Sequence, residues 1–198
     1  HYQVDDLTIA PNPIQKPHPP LYFAVSRTPG TIEDAVSRGL PMLTSANTPD
    51  EDVLGLRELY AARCAEKGVE PQWDNMPFFR VTYVGEDQKT AEEDTRAAMD
   101  WVADLNGYRR TLTGGSEIYA DIDNWIKTRP EEPPTFESRL KSTAKVGTPD
   151  KVVEAIKNLR DNHNVEYYTA HFSYGNLEHE KVMNSMKLFA EEVMPQFK

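Results

Sequence analysis

Leu21-Tyr22-Phe23-Ala24-Val25-Ser26, followed at once by Arg27-Thr28-Pro29-Gly30-Thr31 and then by Ile32, Ala35 and Val36, is the stretch that decides the fold. The segment Leu21–Ser26 is short and almost continuously apolar, the pattern of a strand buried on both faces. Thr28-Pro29-Gly30-Thr31 reads as a helix start, and Ile32, Ala35 and Val36 share one helical face. Gly39 stands where a helix C-terminus takes a residue of positive φ. Leu40–Thr44 is a second short apolar run. Strand, helix and strand with no hairpin turn between them make a parallel pair joined by a helical crossover.

The same alternation extends in both directions. Upstream, Pro11, Pro13, Pro17, Pro19 and Pro20 rule out a helix and predict an extended lead-in with a short strand at Val4–Ile9. Downstream, Thr48-Pro49-Asp50-Glu51 predicts a helix capped by Thr48, with Pro49 in its first position and Glu51 closing a capping box. Its inward face carries Val53, Leu56, Tyr60 and Cys64, and Gly68 ends it. Phe78–Val84 is a third strand. A helix over 86–105 turns Ala91, Thr95, Ala98, Met99 and Val102 inward. Thr148-Pro149-Asp150 opens another helix, with Val152, Val153, Ile156 and Leu159 on its buried face. Val165–Phe172 is a fourth strand, and a last helix carries Val182, Met183, Met186, Phe189 and Val193 up to Pro195.

Residues 106–146 break this rhythm with Gly114-Gly115, Pro130, Pro133 and Pro134. Ile118, Ile122, Trp125 and Ile126 suit one short amphipathic helix within it. A connection this long is either a functional lid or a decorative insertion. As a mobile insertion, its loosest stretch is expected from Pro130 to Ser142.

Composition narrows the function classes. The chain has 198 residues, room for one domain, with 38% apolar and 27% charged residues. A net charge of −10, with no basic stripe, argues against nucleic acid as a partner. Cys64 is the single cysteine, so an internal disulfide and a cysteine-rich metal site are excluded. A reducing cytoplasm fits this. No apolar run reaches the ~20 residues of a membrane helix. The start at His1-Tyr2-Gln3 is neither an initiator Met nor a signal peptide, as expected of a fragment or a processed product.

Parallel sheets with helical crossovers bind ligands at the C-terminal ends of their strands. The segments to inspect are Arg27–Thr31, Ser45–Thr48, residues 106–146 and Ser173–Asn176. In the first, Thr28, Gly30 and Thr31 surround a helix N-terminus, where unpaired N–H groups, the helix dipole and two hydroxyls suit a phosphate. The same residues also suit a helix merely capped by Thr28. His1, His18, His163, His171 and His179 show no metal-ligand spacing. Of these, His171 is the one of interest. Val165, Tyr167, Thr169, His171 and Ser173 alternate along one strand face, a polar face suited either to a cavity wall or to a hydrogen-bonded interior histidine. Walker, GxGxxG, GxSxG and HExxH motifs are absent. The acidic pairs Glu92-Glu93, Glu131-Glu132 and Glu191-Glu192 read as solvated, and Trp101 and Tyr60 as packing residues.

Several stretches, in order along the chain, resemble the bacterial luciferase-like flavin-dependent monooxygenases. They are Pro11–Pro20 before an apolar strand, Gly39-Leu40-Pro41-Met42, Val146-Gly147-Thr148-Pro149, and the closing Ser185-Met186-Lys187-Leu188-Phe189 with Val193-Met194-Pro195. The resemblance implies an α/β fold, the C-terminal half of a TIM (β/α)8 barrel, with about four parallel strands and a long lid-like insertion. It implies reduced FMN as cofactor, received from a separate flavin reductase, and dioxygen used to oxygenate a small organic substrate. In this family the flavin phosphate sits after the fifth strand, which matches Arg27, Thr28, Gly30 and Thr31, with Arg27 acting through its backbone. The family's mobile loop before the eighth strand matches residues 106–146. Its reaction residues would lie upstream of His1, so none is assigned within this chain. Two alternatives stay open: a deazaflavin-dependent oxidoreductase, and a non-catalytic flavin-binding half-barrel that self-associates. A half-barrel leaves a face uncovered, and about half of Tyr22, Phe23, Val25, Tyr83 and Phe172 should point into it. A homo-oligomer would cover that face.

Overall fold

The computed structural model describes residues 3–8, 10–26, 29–113 and 134–197. Five short strands and six α-helices follow one another in these segments: β1 (Phe23–Ala24), α1 (Pro29–Ser37), β2 (Met42–Leu43), α2 (Asp50–Lys67), β3 (Phe78–Val84), α3 (Gln88–Thr113), α4 (Phe136–Ser142), β4 (Ala144–Gly147), α5 (Pro149–His163), β5 (Tyr168–His171) and α6 (His179–Leu188). A π-helical turn, Phe189–Val193, and a 3-10 turn, Met194–Phe197, close the chain.

Every strand pairing is parallel. β1 pairs with β2 through Phe23–Met42 and Ala24–Leu43. The second sheet has the order β4-β3-β5. Its central strand β3 meets β5 along Phe78–Val81 and β4 along Val81–Val84. Both sheets are open and no closed barrel forms among the described residues, consistent with a partial TIM barrel.

Six aromatic or β-branched side chains among the seven residues of β3, with Arg80 the exception, make it the longest strand. Alternation gives it two faces. Phe78 packs with Val53 of α2, Leu159 of α5 and Val165. Val84 packs with Val152, Ile156 and Val193. Completely burying an aromatic such as Phe78 is worth about 1.5–3 kcal/mol. On the opposite face, Phe79 and Val81 pack with Ala46, Met99, Phe136 and Ala144. A third cluster joins β1, α1, β2 and α2 through Val25, Ile32, Ala35, Val36, Met42, Tyr60 and Cys64.

Several expectations are corrected. The strand count is five, because Ala144-Lys145-Val146-Gly147 inside the expected 106–146 insertion is a strand of the sheet. Four residues with a lysine among them carry no periodic signal, and only pairing with β3 makes them a strand. The insertion's first residues continue α3, and Phe136–Ser142 is a helix with Phe136 buried. The helix expected at 118–126 lies outside the described residues. No strand forms over described residues 3–8 near the expected Val4–Ile9, where Val4 and Leu7 are exposed.

Thr48 does not cap α2. Pro49 holds that position without a side-chain bond, and the Thr48 N–H donates to Ser45 O. Of the five side chains expected on an uncovered face, Val25 and Tyr83 are buried, Phe23 and Phe172 half-buried, and only Tyr22 is exposed. The Tyr83 hydroxyl donates to Asp94 of α3 at 2.8 Å, so this helix covers that side chain. In the last helical segment Met183 and Met186 are exposed, while Val182 and Val193 are buried.

Candidate functional site

Two concavities adjoin at the strand ends, and Asn47 and His171 line both. The larger, about 520 Å3, is bounded by Ala24, Val25 and Ser26 after β1 and by Leu43 to Asn47 after β2, with Phe79 and His171 opposite. The smaller, about 230 Å3, lies under α3 and α4, between Val81, Met99, Val102, Arg139, Thr143, Ala144, Tyr174 and Gly175.

The larger concavity reaches Ser26, the last described residue before α1, and no residue of α1 lines it. The short strand β1, with Phe23 half-buried and Ala24 exposed, ends at Ala24. Pro29 then opens a nine-residue helix with no carboxylate in its first turn. The first backbone N–H groups of such a helix have no intrahelical acceptor and face outward with the positive end of the dipole. Gly30 is exposed, with open space around the position a Cβ would take, and Thr31 is half-buried. Arg27 and Thr28 lie outside the described residues. Across the concavity, the Thr44 hydroxyl is buried and has no hydrogen-bond partner among the described residues. Burying a hydroxyl unpaired costs roughly 1–3 kcal/mol, so its position marks a place for a polar group.

His171 ends β5 with its ring between two aromatics. Its centroid is 5.3 Å from Phe79 and 6.3 Å from Tyr174. No described residue hydrogen-bonds the imidazole. Of the two sequence readings, the cavity wall is the one observed. The strand itself is shorter than expected, and Val165 lies before it in the core beside Phe78. Gly175, in the loop after β5, has φ +60 and lies so close to α3 that a Cβ would stand 2.4 Å from Ala98 O. That approach brings Tyr174 under the helix. Burial pushes the Tyr174 phenol well above its ordinary range. Its hydroxyl lies near Thr95 but makes no hydrogen bond of good geometry. Burial also lowers the Arg139 guanidinium, an effect opposed by Asp100.

The strand-end segments singled out in the sequence thus contribute as a group: Ser45, Ala46 and Asn47, then Tyr174 and Gly175, with Arg139 and Thr143 from within 106–146. Thr44 and Arg139 were missed individually. A hydroxyl closing the apolar run Leu40–Thr44 was a readable signal for the first. For Arg139 there was none, because α4 had not been recognised. Among the described residues no group of histidine, cysteine and carboxylate side chains could hold a metal ion. No described helix is long and apolar enough to cross a membrane.

Known proteins with this fold include monooxygenases and a coenzyme F420-dependent reductase. The chain is 24% identical over 98% of its length to the alkanal monooxygenase alpha chain of Photobacterium leiognathi, covering 56% of that protein. Its structure is similar to that of monooxygenase RslO1 from Streptomyces bottropensis, with a TM-score of 0.64, 25% identity, and coverage of 93% of this chain and 50% of the other. The same fold recurs in the oxygenating constituent of 3,6-diketocamphane monooxygenase from Pseudomonas putida, solved in complex with FMN, at a TM-score of 0.62, 16% identity, and coverage of 88% and 47%. The chain therefore spans about half the length of the relatives it matches. The family model described as luciferase-like monooxygenase matches residues 1–163, and the chain belongs to that family.

Proposed function

We propose that this chain supplies the phosphate end of an FMN site and one wall of the reaction chamber in a flavin-dependent monooxygenase that oxygenates a small organic substrate with dioxygen. The observation that carries this reading is the concavity beside the start of α1, with the unpartnered Thr44 hydroxyl in its wall. Its volume of about 520 Å3 is within the usual range of cofactor and ligand sites, about 300–1,000 Å3. The residues present fit the group. Thr28 and Thr31 would donate to phosphate oxygens, Gly30 leaves the approach open, and Arg27 would contribute its backbone N–H. When bound, reduced FMN supplies the electrons that activate dioxygen. The chain's own task is to bind, orient and exclude water, for which Val25, Leu43, Ala46 and Phe79 form an apolar wall. Reduced flavin would come from a separate reductase.

The test is FMN binding, read by quenching of flavin fluorescence. Replacing Thr28 and Thr31 together by Ala in the whole protein is expected to weaken FMN binding by about 1–3 kcal/mol, as for lost hydrogen bonds to a charged group. An unchanged affinity would remove the phosphate assignment. Binding of a deazaflavin in preference to FMN would move the protein to the hydride-transferring branch of the family.

A further inference from the structure

The smaller concavity has a lining unlike its neighbour's. Val81, Met99, Val102 and Ala144 make an apolar body, and the polar groups gather as Arg139, Tyr174, His171 and Asn47. Arg139 is half-buried, and its guanidinium is only partly used. Nε donates to Pro134 O at 3.1 Å and Nη1 to Met99 O at 3.4 Å. Both acceptors are backbone carbonyls, and no carboxylate among the described residues forms an ion pair with it. A guanidinium carries five donors in a fixed fork, matched to two oxygens of one anion. Asp100 opposes the effect of burial on Arg139 from a distance but forms no ion pair with it, so the fork is not occupied by a carboxylate. The Tyr174 hydroxyl, buried without a good hydrogen bond, is a second unused donor in the same lining.

We propose that this concavity is the substrate compartment, and that it takes a small, mainly apolar carboxylic acid whose carboxylate is held by Arg139. As a substrate compartment it rests on the flavin reading above; as a binding site for an apolar acid it does not. The volume of about 230 Å3 is below the range of drug-sized sites and limits the occupant to a small molecule. Met99 and Val102 of α3 and Ala144 of β4 receive its hydrocarbon part. His171 lines both concavities and stands between that molecule and the flavin chamber. It is therefore the side chain placed to orient the acid's apolar end toward the flavin.

The experiment is calorimetric titration of the 198-residue chain, without flavin, using hexanoate as the probe and 1-hexanol as the uncharged control of equal length. Hexanoate should bind at least about tenfold more tightly than the alcohol, and the difference should shrink with salt. Arg139→Gln should abolish that preference, and Arg139→Lys should restore part of it. Val102→Phe, which fills the apolar body from a half-buried position, should remove binding of both molecules. Each variant must retain the circular dichroism spectrum of the parent, and the Lys and Phe variants answer the question if the Gln variant does not. Equal affinity for acid and alcohol, no saturable hexanoate binding, or hexanoate binding that survives both Arg139→Gln and Val102→Phe overturns the proposal. FMN affinity, measured on the same variants, should be unchanged, because none of them touches the α1 start. Loss of FMN binding in the parent with hexanoate discrimination intact would sink the flavin reading and leave the acid site standing.

Discussion

Asp50 is the first residue of α2 and the single anion between two largely buried cations. Its Oδ1 accepts from Arg80 Nε at 2.5 Å and its Oδ2 from Lys145 Nζ at 2.6 Å. The Arg80 side chain is 0% exposed, that of Lys145 9% and that of Asp50 21%. Arg80 has one further bond, from Nη1 to Phe79 O at 2.7 Å, a cation–π contact with Phe78, and an Nη2 without a partner. Burial lowers its pKa, and Asp50 opposes that shift. Replacing Asp50 by Ala would leave two positive charges facing each other beside the central strand. Breaking a buried pair by removing one partner costs about 3–5 kcal/mol. For a domain of 150–250 residues each kcal/mol moves Tm by about 2–4 °C, so the expected fall is about 6–20 °C. Urea unfolding should give the same free energy with an unchanged slope. Asp50→Asn keeps the shape but loses the charge, and should lose most of the same stability. The triple variant Asp50→Leu, Arg80→Met and Lys145→Met should recover much of it, since an apolar replacement of a buried charge cluster is often neutral. If Asp50→Ala and Asp50→Asn both fell within about 0.5 kcal/mol of the parent, as exposed substitutions do, this account of how β3, β4 and α2 are held together would be wrong.

Alkaline pH should destabilise the fold through its phenols. Tyr60 is pushed up from 10.0 to about 12, first by burial, and burial also raises Tyr83, Tyr168 and Tyr174. A folded value above the unfolded one means that their stabilisation is complete below pH 10 and lost as pH rises through the folded values. Absorbance at 295 nm should therefore show ionisation coinciding with unfolding. Gradual ionisation of all the phenols near pH 10 without unfolding would contradict this. Gly175→Ala should cost at least about 1–3 kcal/mol, because φ is +60 and the added Cβ would stand 2.4 Å from Ala98 O; a melt unchanged from the parent would show that the loop can move off α3. Sedimentation should give a species larger than one chain, since β1 and β5 each pair on one side only and Ile14, Leu21 and Tyr22 are exposed. A concentration-independent monomer would refute it.

Much of the architecture was legible because it rests on local rules. Short apolar runs separated by helical periods allow only parallel strands with crossovers, and Phe78–Val84 was located to the residue. Gly68, placed at the end of α2 from sequence, has φ +66 and returns its N–H to the helix carbonyls. Of the segments flagged as ligand positions, Ser45–Thr48, Ser173–Asn176 and residues 106–146 each give residues to the two concavities, whereas Gly30 and Thr31 line neither. Pairing and burial of charge were decided only in three dimensions. Ala144–Gly147 has no strand period of its own and is a strand because β3 offers it a free edge. Thr48 and Glu51 form a capping-box pattern, yet Pro49 takes the cap, and the charge at the helix start belongs to Asp50, which is committed to Arg80 and Lys145 from β3 and β4. An arginine in a strand reads as exposed, because local sequence cannot show that a carboxylate 30 residues away will reach it. The lining of the smaller concavity has the same origin. Met99, Arg139, Ala144 and Tyr174 come from four separate elements, and only the close passage of Gly175 over α3 brings them to one place.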